Sequence, residues 1–415
     1  MKSRSLKSAI LDKSQLVSGR IVVITGARQT GKTTLAKNTF LESKYIAVDD
    51  PVLIDQYTSL TASQWHEYFP HAILDEVQKA PALIESIKAV YDQFPETSFV
   101  MTGSSQFLLL NKVRESLAGR CAIFELFPLT IPETMTGKWD ENIRLSFFQE
   151  FLQKGSLPGV LPSFLMDQDY AAREKSFQYY ITNGGYPFLT RTMMKDNERF
   201  EWLTDYIRTY LERDVRDLAD FRSLEPFIKI QRLTALMTGN LLNYAELAKD
   251  AGITANTARR FVKYLEISYQ VILLQPWTRN NLKRLVKSPK LHYLDPGVQK
   301  AIIQKRGAPA GNEYESAVIA EIHKQVKNIL FTGSFYHLRT VDGREIDLLI
   351  ETEKGYYAIE VKMTGHVSEV DARHLKGLGP VLDKPLLYSF LLSNDPAVRN
   401  ISENILALPA AMFLS

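Results

Sequence analysis

Eight residues near the start of the chain have the types and spacing that phosphate chemistry needs. Gly26-Ala27-Arg28-Gln29-Thr30-Gly31-Lys32-Thr33 fits G-x-x-x-x-G-K-[ST] at every fixed position. The glycines let successive backbone N–H groups curl around a polyphosphate. Lys32 would reach the terminal phosphates and the Thr33 hydroxyl would sit on Mg²⁺. Thr34 continues into a helix whose positive N-terminal end faces the anion. A second group, His71-Ala72-Ile73-Leu74-Asp75-Glu76, is an apolar run ending in two acids. Asp75 would position Mg²⁺, and Glu76 would orient or deprotonate an attacking water. Residues 98–103 form another apolar run, after which Thr102 and Ser104 are candidates to sense the terminal phosphate or are ordinary turn residues.

A third group lies near the other end of the chain. Glu360 and Lys362, two apart on a strand, point to one face, with Val361 turned to the other. Asp347 stands thirteen residues before Glu360, a step that two antiparallel strands and a Lys354-Gly355 turn would span. The two carboxylates would then share Mg²⁺, and Lys362 would hold an attacking hydroxide or a phosphate charge. A polar hairpin face would look similar.

These residues need elements to hold them. Residues 20–25 are apolar and β-branched, the pattern of a parallel strand buried on both faces. Residues 45–48 predict a second strand ending in Asp49 and Asp50, either ligand-facing acids or a solvated turn. A helix, a stop at Gly119 and a strand from Cys121 follow, with Arg120 just before the strand. Residues 141–235 read as helical, interrupted by Gly184-Gly185-Tyr186-Pro187, a turn that must hold an unusual backbone. The alternating charges of 213–217 are a solvated or interface face.

Residues 241–274 predict a helix-turn-helix, with Gly252 at the turn and Thr254 capping a second helix that exposes Asn256, Arg259, Arg260 and Lys263. A hairpin wing would follow, carrying Arg279, Lys283, Arg284, Lys287 and Lys290 with no acid. It would suit a DNA phosphate backbone, or serve for packing alone. The last hundred residues predict a helix over 312–326, strands near 330–339, 346–351 and 356–362, a helix over 368–378 and a strand over 385–392.

The whole chain bounds the function only loosely. Its 415 residues suggest two to four domains, and 45% hydrophobic residues suffice for sizeable cores. The net charge is +3, so any nucleic-acid footprint must be local. One cysteine, Cys121, excludes a disulfide framework within the chain and fits a reducing compartment. No apolar run of about 18 residues and no signal peptide is present, so a cytoplasmic protein without a membrane span is expected.

The stretches GARQTGKTTL, ILDEVQ, MTGSSQFLL, ESLAGR, FPLT, NGGYPFL and YLERDVRDL resemble those of the archaeal-type prokaryotic ATPases, P-loop proteins related to AAA+. The resemblance implies an α/β AAA-like core, a helical lid and a C-terminal domain of unknown function; with the helix-turn-helix read above, the expected bounds are 1–140 for the core, 141–200 for the lid, 201–305 for the helical and winged helix-turn-helix part and 306–415 for the last domain. It implies ATP or ADP as ligand, with ATP preferred to GTP, and a possible homo-oligomer. Arg120 stands where AAA+ ATPases carry an arginine finger for a neighbouring subunit, or is a plain helix-end charge or ion pair. The αβββαβ order of the last domain resembles the PD-(D/E)XK nuclease core. Asp347, Glu360 and Lys362 then match its motif, and Glu315 matches the place of a further acid. The expected function is an ATP-hydrolysing protein with a DNA-binding winged helix and a candidate Mg²⁺-dependent nuclease domain. The alternative is a nucleotide-gated switch that binds DNA or protein without cutting.

Overall fold

The computed structural model describes residues 1–103, 113, 115–157, 167–211, 223–279 and 288–415. Ser104, Lys283, Arg284, Lys287 and the charge run 213–217 lie outside the described residues.

Five parallel strands build the first sheet: β1 (Ile21–Thr25), β2 (Lys44–Ala47), β3 (His71–Asp75), β4 (Ser98–Gly103) and β5 (Cys121–Glu125). Their order is β2-β3-β4-β1-β5, which sets β4 between the strand before the glycine loop and the strand that ends in Asp75. All of β1 is buried, as its β-branched run requires. Alternate β1 residues enter different clusters. Ile21 and Val23 pack with Ile84, Ile87 and Val90 of the helix Ala82–Gln93, whereas Val22 and Ile24 pack with Leu35 and Ala36 of the helix Lys32–Thr39. Parallel pairing brings Thr25, Asp75 and Thr102 to one edge of the sheet, the edge at which such sheets bind ligands.

The second sheet has eight strands in the order β12-β13-β11-β10-β9-β8-β6-β7. These are β6 (Val271–Pro276), β7 (Lys290–Tyr293), β8 (Ser334–Arg339), β9 (Glu345–Glu351), β10 (Tyr356–Lys362), β11 (Leu386–Ser393), β12 (Arg399–Ser402) and β13 (Ile405–Pro409). β8, β9 and β10 are antiparallel neighbours, and β11 lies parallel to β10. Gly343 (φ 84°) lies in the turn between β8 and β9, and Gly355 (φ 154°) occupies the expected turn between β9 and β10.

Two expectations are corrected here. Residues 368–378 form a succession of turns, with bonds such as Asp371 N–H to Ser368 O and Leu375 N–H to Ala372 O, instead of an α-helix. The buried Ala372, Leu375 and Leu378 recur every three residues, the period of i→i+3 turns. The helices Phe147–Lys154 and Tyr170–Asn183 do not form a lid over the first sheet. Phe148, Phe151, Phe177 and Tyr180 are buried with Tyr314, Ile350, Phe390 and Phe413 in the core beneath the second sheet.

Beyond these helices, Gly184 (φ 78°) makes the unusual turn that was expected. A Cβ at Gly184 would lie 2.0 Å from Asp295 Oδ1, and one at Gly185 2.2 Å from the Leu129 carbonyl oxygen, so only glycine fits this junction.

Candidate functional site

The loop after β1 has the backbone that its glycines permit. Gly26 has φ 149°, and a Cβ there would lie 2.1 Å from the Leu126 carbonyl oxygen. Gln29 and Gly31 are left-handed, at φ 63° and 94°, and Gly31 caps the helix Lys32–Thr39. The first-turn N–H groups of a helix have no intrahelical acceptor, so a loop closing onto this helix start suits an anion. Lys32 Nζ donates to the carbonyls of Gly26 and Ala27, both at 2.9 Å. Thr30 Oγ1 donates to Ala27 O at 2.8 Å, while the Arg4 guanidinium donates to Thr30 O and Phe127 O and pairs with Glu133. The loop is therefore braced from within and from the N-terminal segment.

Asp75 is the centre of the polar site. Its carboxylate accepts from Thr33 Oγ1 at 2.8 Å, from the Tyr45 hydroxyl at 2.8 Å and from Thr102 Oγ1. Burial, then the hydrogen bond to Asp75, pushes the Tyr45 hydroxyl well above its ordinary value, so it remains a donor. Glu76 follows in the left-handed region (φ 60°), and Gln78 Nε2 donates to it. A cavity of about 830 Å³ opens over the loop, lined by Arg28, Gln29, Lys32, Thr33, Thr34 and Glu76, and closed by Trp139, Phe188 and Arg191. That volume accommodates a ligand of nucleotide size. The Thr33 hydroxyl and the Asp75 carboxylate are hard oxygen donors of the kind that Mg²⁺ takes alongside water and phosphate.

Other acids and bases near this sheet have structural partners. Asp50 caps the helix Pro51–Ser59 by accepting from Val52 N–H at 2.9 Å, and Asp49 pairs with Lys79 at 3.4 Å. Both are therefore turn and surface residues. Cys121 is level with Ile21, so Arg120 lies at the edge of the sheet opposite the glycine loop. Its guanidinium makes two bonds to Asp92, at 2.8 and 3.2 Å, which hold the Asp92 carboxyl below its ordinary value.

Sequence reasoning missed Tyr269, whose hydroxyl lies 2.9 Å from Thr25 Oγ1 and donates to Glu125 at 3.3 Å. Its ring, with Leu294, shares a buried cluster with Ala27 of the loop and Phe127. No local signal could have shown a contact across this separation in the chain.

The two helices expected in the helix-turn-helix are Tyr244–Ala251 and Ala255–Ile267, with Gly252 left-handed at the turn between them and Thr254 accepting from Thr257 N–H. Ala258, Phe261, Val262 and Leu265 are buried, whereas Asn256, Arg259, Arg260 and Lys263 are exposed. Lys263 pairs with Glu266 at 2.7 Å.

The wing differs from expectation, because β6 is paired on its other side with β8 (Gln275↔Tyr336). Arg279, expected to face DNA, instead donates to the carbonyls of Pro380, Val381 and Leu382. Lys290, expected on the same basic face, is buried, and its ammonium lies 2.7 Å from Glu315, 3.0 Å from Asp347 and 3.3 Å from Glu345.

The residues of the expected metal set in the C-terminal domain make contacts with lysines and with the backbone. Glu360 and Lys362 do share a face, but Lys362 Nζ is bonded to Glu360 at 2.7 Å. Asp347 is divided between Lys290 and the Val361 N–H, at 2.9 Å. Burial, then the Asp347 charge, pushes Glu315 and Glu360 each up to about 8. Among the described residues, no group of three or more His, Cys, Asp or Glu side chains is placed to hold a metal ion. No helix among the described residues is long and apolar enough to cross a membrane.

Comparison with known proteins follows this division. Residues 18–135 match a family model described as an AAA domain. Residues 174–308 and 310–413 match two models described as domains of unknown function, DUF8612 and DUF4143. An uncharacterized protein of Mycobacterium tuberculosis is 26% identical over 358 residues, covering 83% of this chain and 70% of that protein. One of Haemophilus influenzae is 22% identical over 355 residues, covering 79% of each. Among solved structures, the Walker-type ATPase of Pyrococcus abyssi is 16% identical and overlaps 71% of this chain and 94% of its own, at a TM-score of 0.43. The chain is thus similar to an AAA domain over residues 18–135, which hold the glycine loop, and to a DUF4143 domain over residues 310–413.

Proposed function

We infer that the chain binds Mg²⁺·ATP over the 26–34 loop, hydrolyses it, and passes its nucleotide state to the helix-turn-helix and the C-terminal domain. The observation that carries this reading is the acceptance by Asp75 of hydroxyl bonds from Thr33 and Thr102, beside the glycine loop. In this reading the loop N–H groups take phosphate oxygens, and Lys32 exchanges the Gly26 and Ala27 carbonyls for the terminal phosphates. Thr33 and Asp75 hold the ion, which when bound neutralises phosphate charge. Tyr45 and Thr102 keep the Asp75 carboxylate oriented, as outer-shell donors do. Glu76, held by Gln78, orients the attacking water. The choice of ATP rests on the family resemblance. Phosphate release with Mg²⁺ and ATP, absent in Lys32→Ala and in Glu76→Gln, tests it. Equal turnover in all three proteins would refute the site.

A DNA-binding role has its own observation. Helix Ala255–Ile267 turns Asn256, Arg259 and Arg260 outward while its opposite face is buried, the disposition of a recognition helix. Titration of labelled duplexes at several salt concentrations tests it, since affinity that does not change with salt would exclude phosphate contact.

A further inference from the structure

The residues of the C-terminal domain that resemble a nuclease motif do not fit a divalent ion, and the reason is a cation that the chain itself supplies. Lys290 enters from β7, a strand of the wing hairpin, and its side chain is 3% exposed. Its ammonium stands between Glu315 of the helix Gly311–Asn328 and Asp347 of β9, at 2.7 and 3.0 Å, with Glu345 at 3.3 Å. An ammonium has three donors, and three carboxylates surround this one. The separations are those of N–H···O bonds, whereas Mg²⁺ demands six oxygens at about 2.0–2.1 Å. The remaining carboxylate, Glu360, is turned to Lys362 on its own strand. Glu315 Oε1 and Glu360 Oε2 are buried without a hydrogen-bond partner, but two oxygens, one of them 2.7 Å from the ammonium, make no six-oxygen cage.

Metal-assisted hydrolysis needs a coordination position open to water, and an ammonium has no lone-pair acceptor site and activates no water. Carboxylates approach the Lys290 nitrogen from three elements, an environment that suits an ammonium better than a second cation. What the cluster does offer is attachment. It ties the wing hairpin to the helix and strand of the C-terminal domain at a point where three elements meet.

We propose that Lys290 is a tethered cation standing in place of a divalent ion, and that the Glu315–Asp347–Glu360 cluster binds no metal and cuts no phosphodiester. The cluster instead clamps β7 to the C-terminal domain. This does not depend on ATP hydrolysis at the glycine loop, so its test omits nucleotide and uses the full chain carrying Asp75→Asn, which removes the loop's own carboxylate ligand. Mn²⁺ is titrated and followed by calorimetry and by the paramagnetic resonance of the free ion. Labelled single-stranded, duplex and branched DNA and RNA are incubated with Mg²⁺ or Mn²⁺. The expected result is no stoichiometric Mn²⁺ binding at millimolar ion and no cleavage. Lys290→Met added to this background should gain Mn²⁺ binding, read also as a rise in melting midpoint that the parent lacks. Mn²⁺ binding or cleavage in the parent that disappears in Asp347→Asn overturns the proposal. So does a folded Lys290→Met chain that remains indifferent to Mn²⁺. If Lys290→Met does not fold, the parent titration and the cleavage assay still decide.

Discussion

Tyr269 and Thr25 meet through their hydroxyls at 2.9 Å, so the turn after the second helix of the helix-turn-helix touches the last residue before the glycine loop. Tyr269 holds a left-handed backbone, φ 60°, which a bulky residue adopts only when its surroundings enforce it. Leu294, just beyond β7, shares the same cluster. The wing base and the phosphate loop are therefore one packed unit. Tyr269→Phe keeps the ring and removes the hydroxyl bonds, at an expected cost of about 1–2 kcal/mol. In wild-type protein, nucleotide should slow amide exchange across 271–276. In Tyr269→Phe that slowing should shrink while nucleotide affinity stays near wild type. Undiminished slowing would show that the bond carries no coupling.

At the nucleotide site, Lys32→Ala should remove most nucleotide binding, measured by fluorescent-analogue titration. Glu76→Gln should bind as wild type and lose roughly 10²–10⁴-fold in turnover, the usual worth of a positioned acid or base. Normal turnover in Glu76→Gln would remove Glu76 from the reaction.

Arg120 sits on the far edge of the first sheet and can act only on a neighbouring copy. If it does, Arg120→Ala should lower turnover more than affinity, and mixing it with Lys32→Ala should restore part of the activity. Its bonds to Asp92 must then open on assembly. A fully active protein that sediments as a monomer would leave Arg120 as a surface ion pair.

Arg259→Ala with Arg260→Ala should weaken DNA binding similarly across sequences. The slope of log K against log salt should fall by about 0.9 for each lost phosphate contact. An unchanged slope would assign this face to something other than DNA.

The acid cluster makes the protein's stability depend on pH. Glu315 and Glu360 move from an ordinary 4.5 up to about 8, so the folded state holds protons that the unfolded chain releases between those values. Their contribution is complete below about 4.5 and is lost as the pH climbs to about 8. The melting midpoint should therefore fall across this window, and Glu315→Gln with Glu360→Gln should flatten the fall. Lys290→Ala, which strands buried carboxylates, should cost about 3–5 kcal/mol. A midpoint that rises through the window would contradict the cluster's arrangement.

The glycine loop and Asp75 were legible because their information is local: fixed spacing after one strand and at the end of another. The strands of the second sheet were legible for the same reason, since Gly343 and Gly355 mark their turns. Lys290 was not. It sits in a basic stretch that reads as a surface, and only the pairing of β6 with β8 carries it inward. Arg279 misled in the same way, its carbonyl partners lying a hundred residues away in the chain. The turns over 368–378 pass for a helix because an apolar period of three drifts from 3.6 by only about one residue over two turns.

The second sheet runs across the line at which the two family models of unknown function meet, between residues 308 and 310. Recombination at that line would not deliver a self-sufficient module. A fragment starting there would present β8 with a bare hydrogen-bonding edge, the kind of surface on which chains pair and precipitate. It would also lack the one ammonium that its carboxylates surround. Any exchange of the C-terminal domain between relatives must therefore bring its own β6 and β7, and the smallest unit that inheritance can shuffle is larger than the unit that sequence similarity outlines.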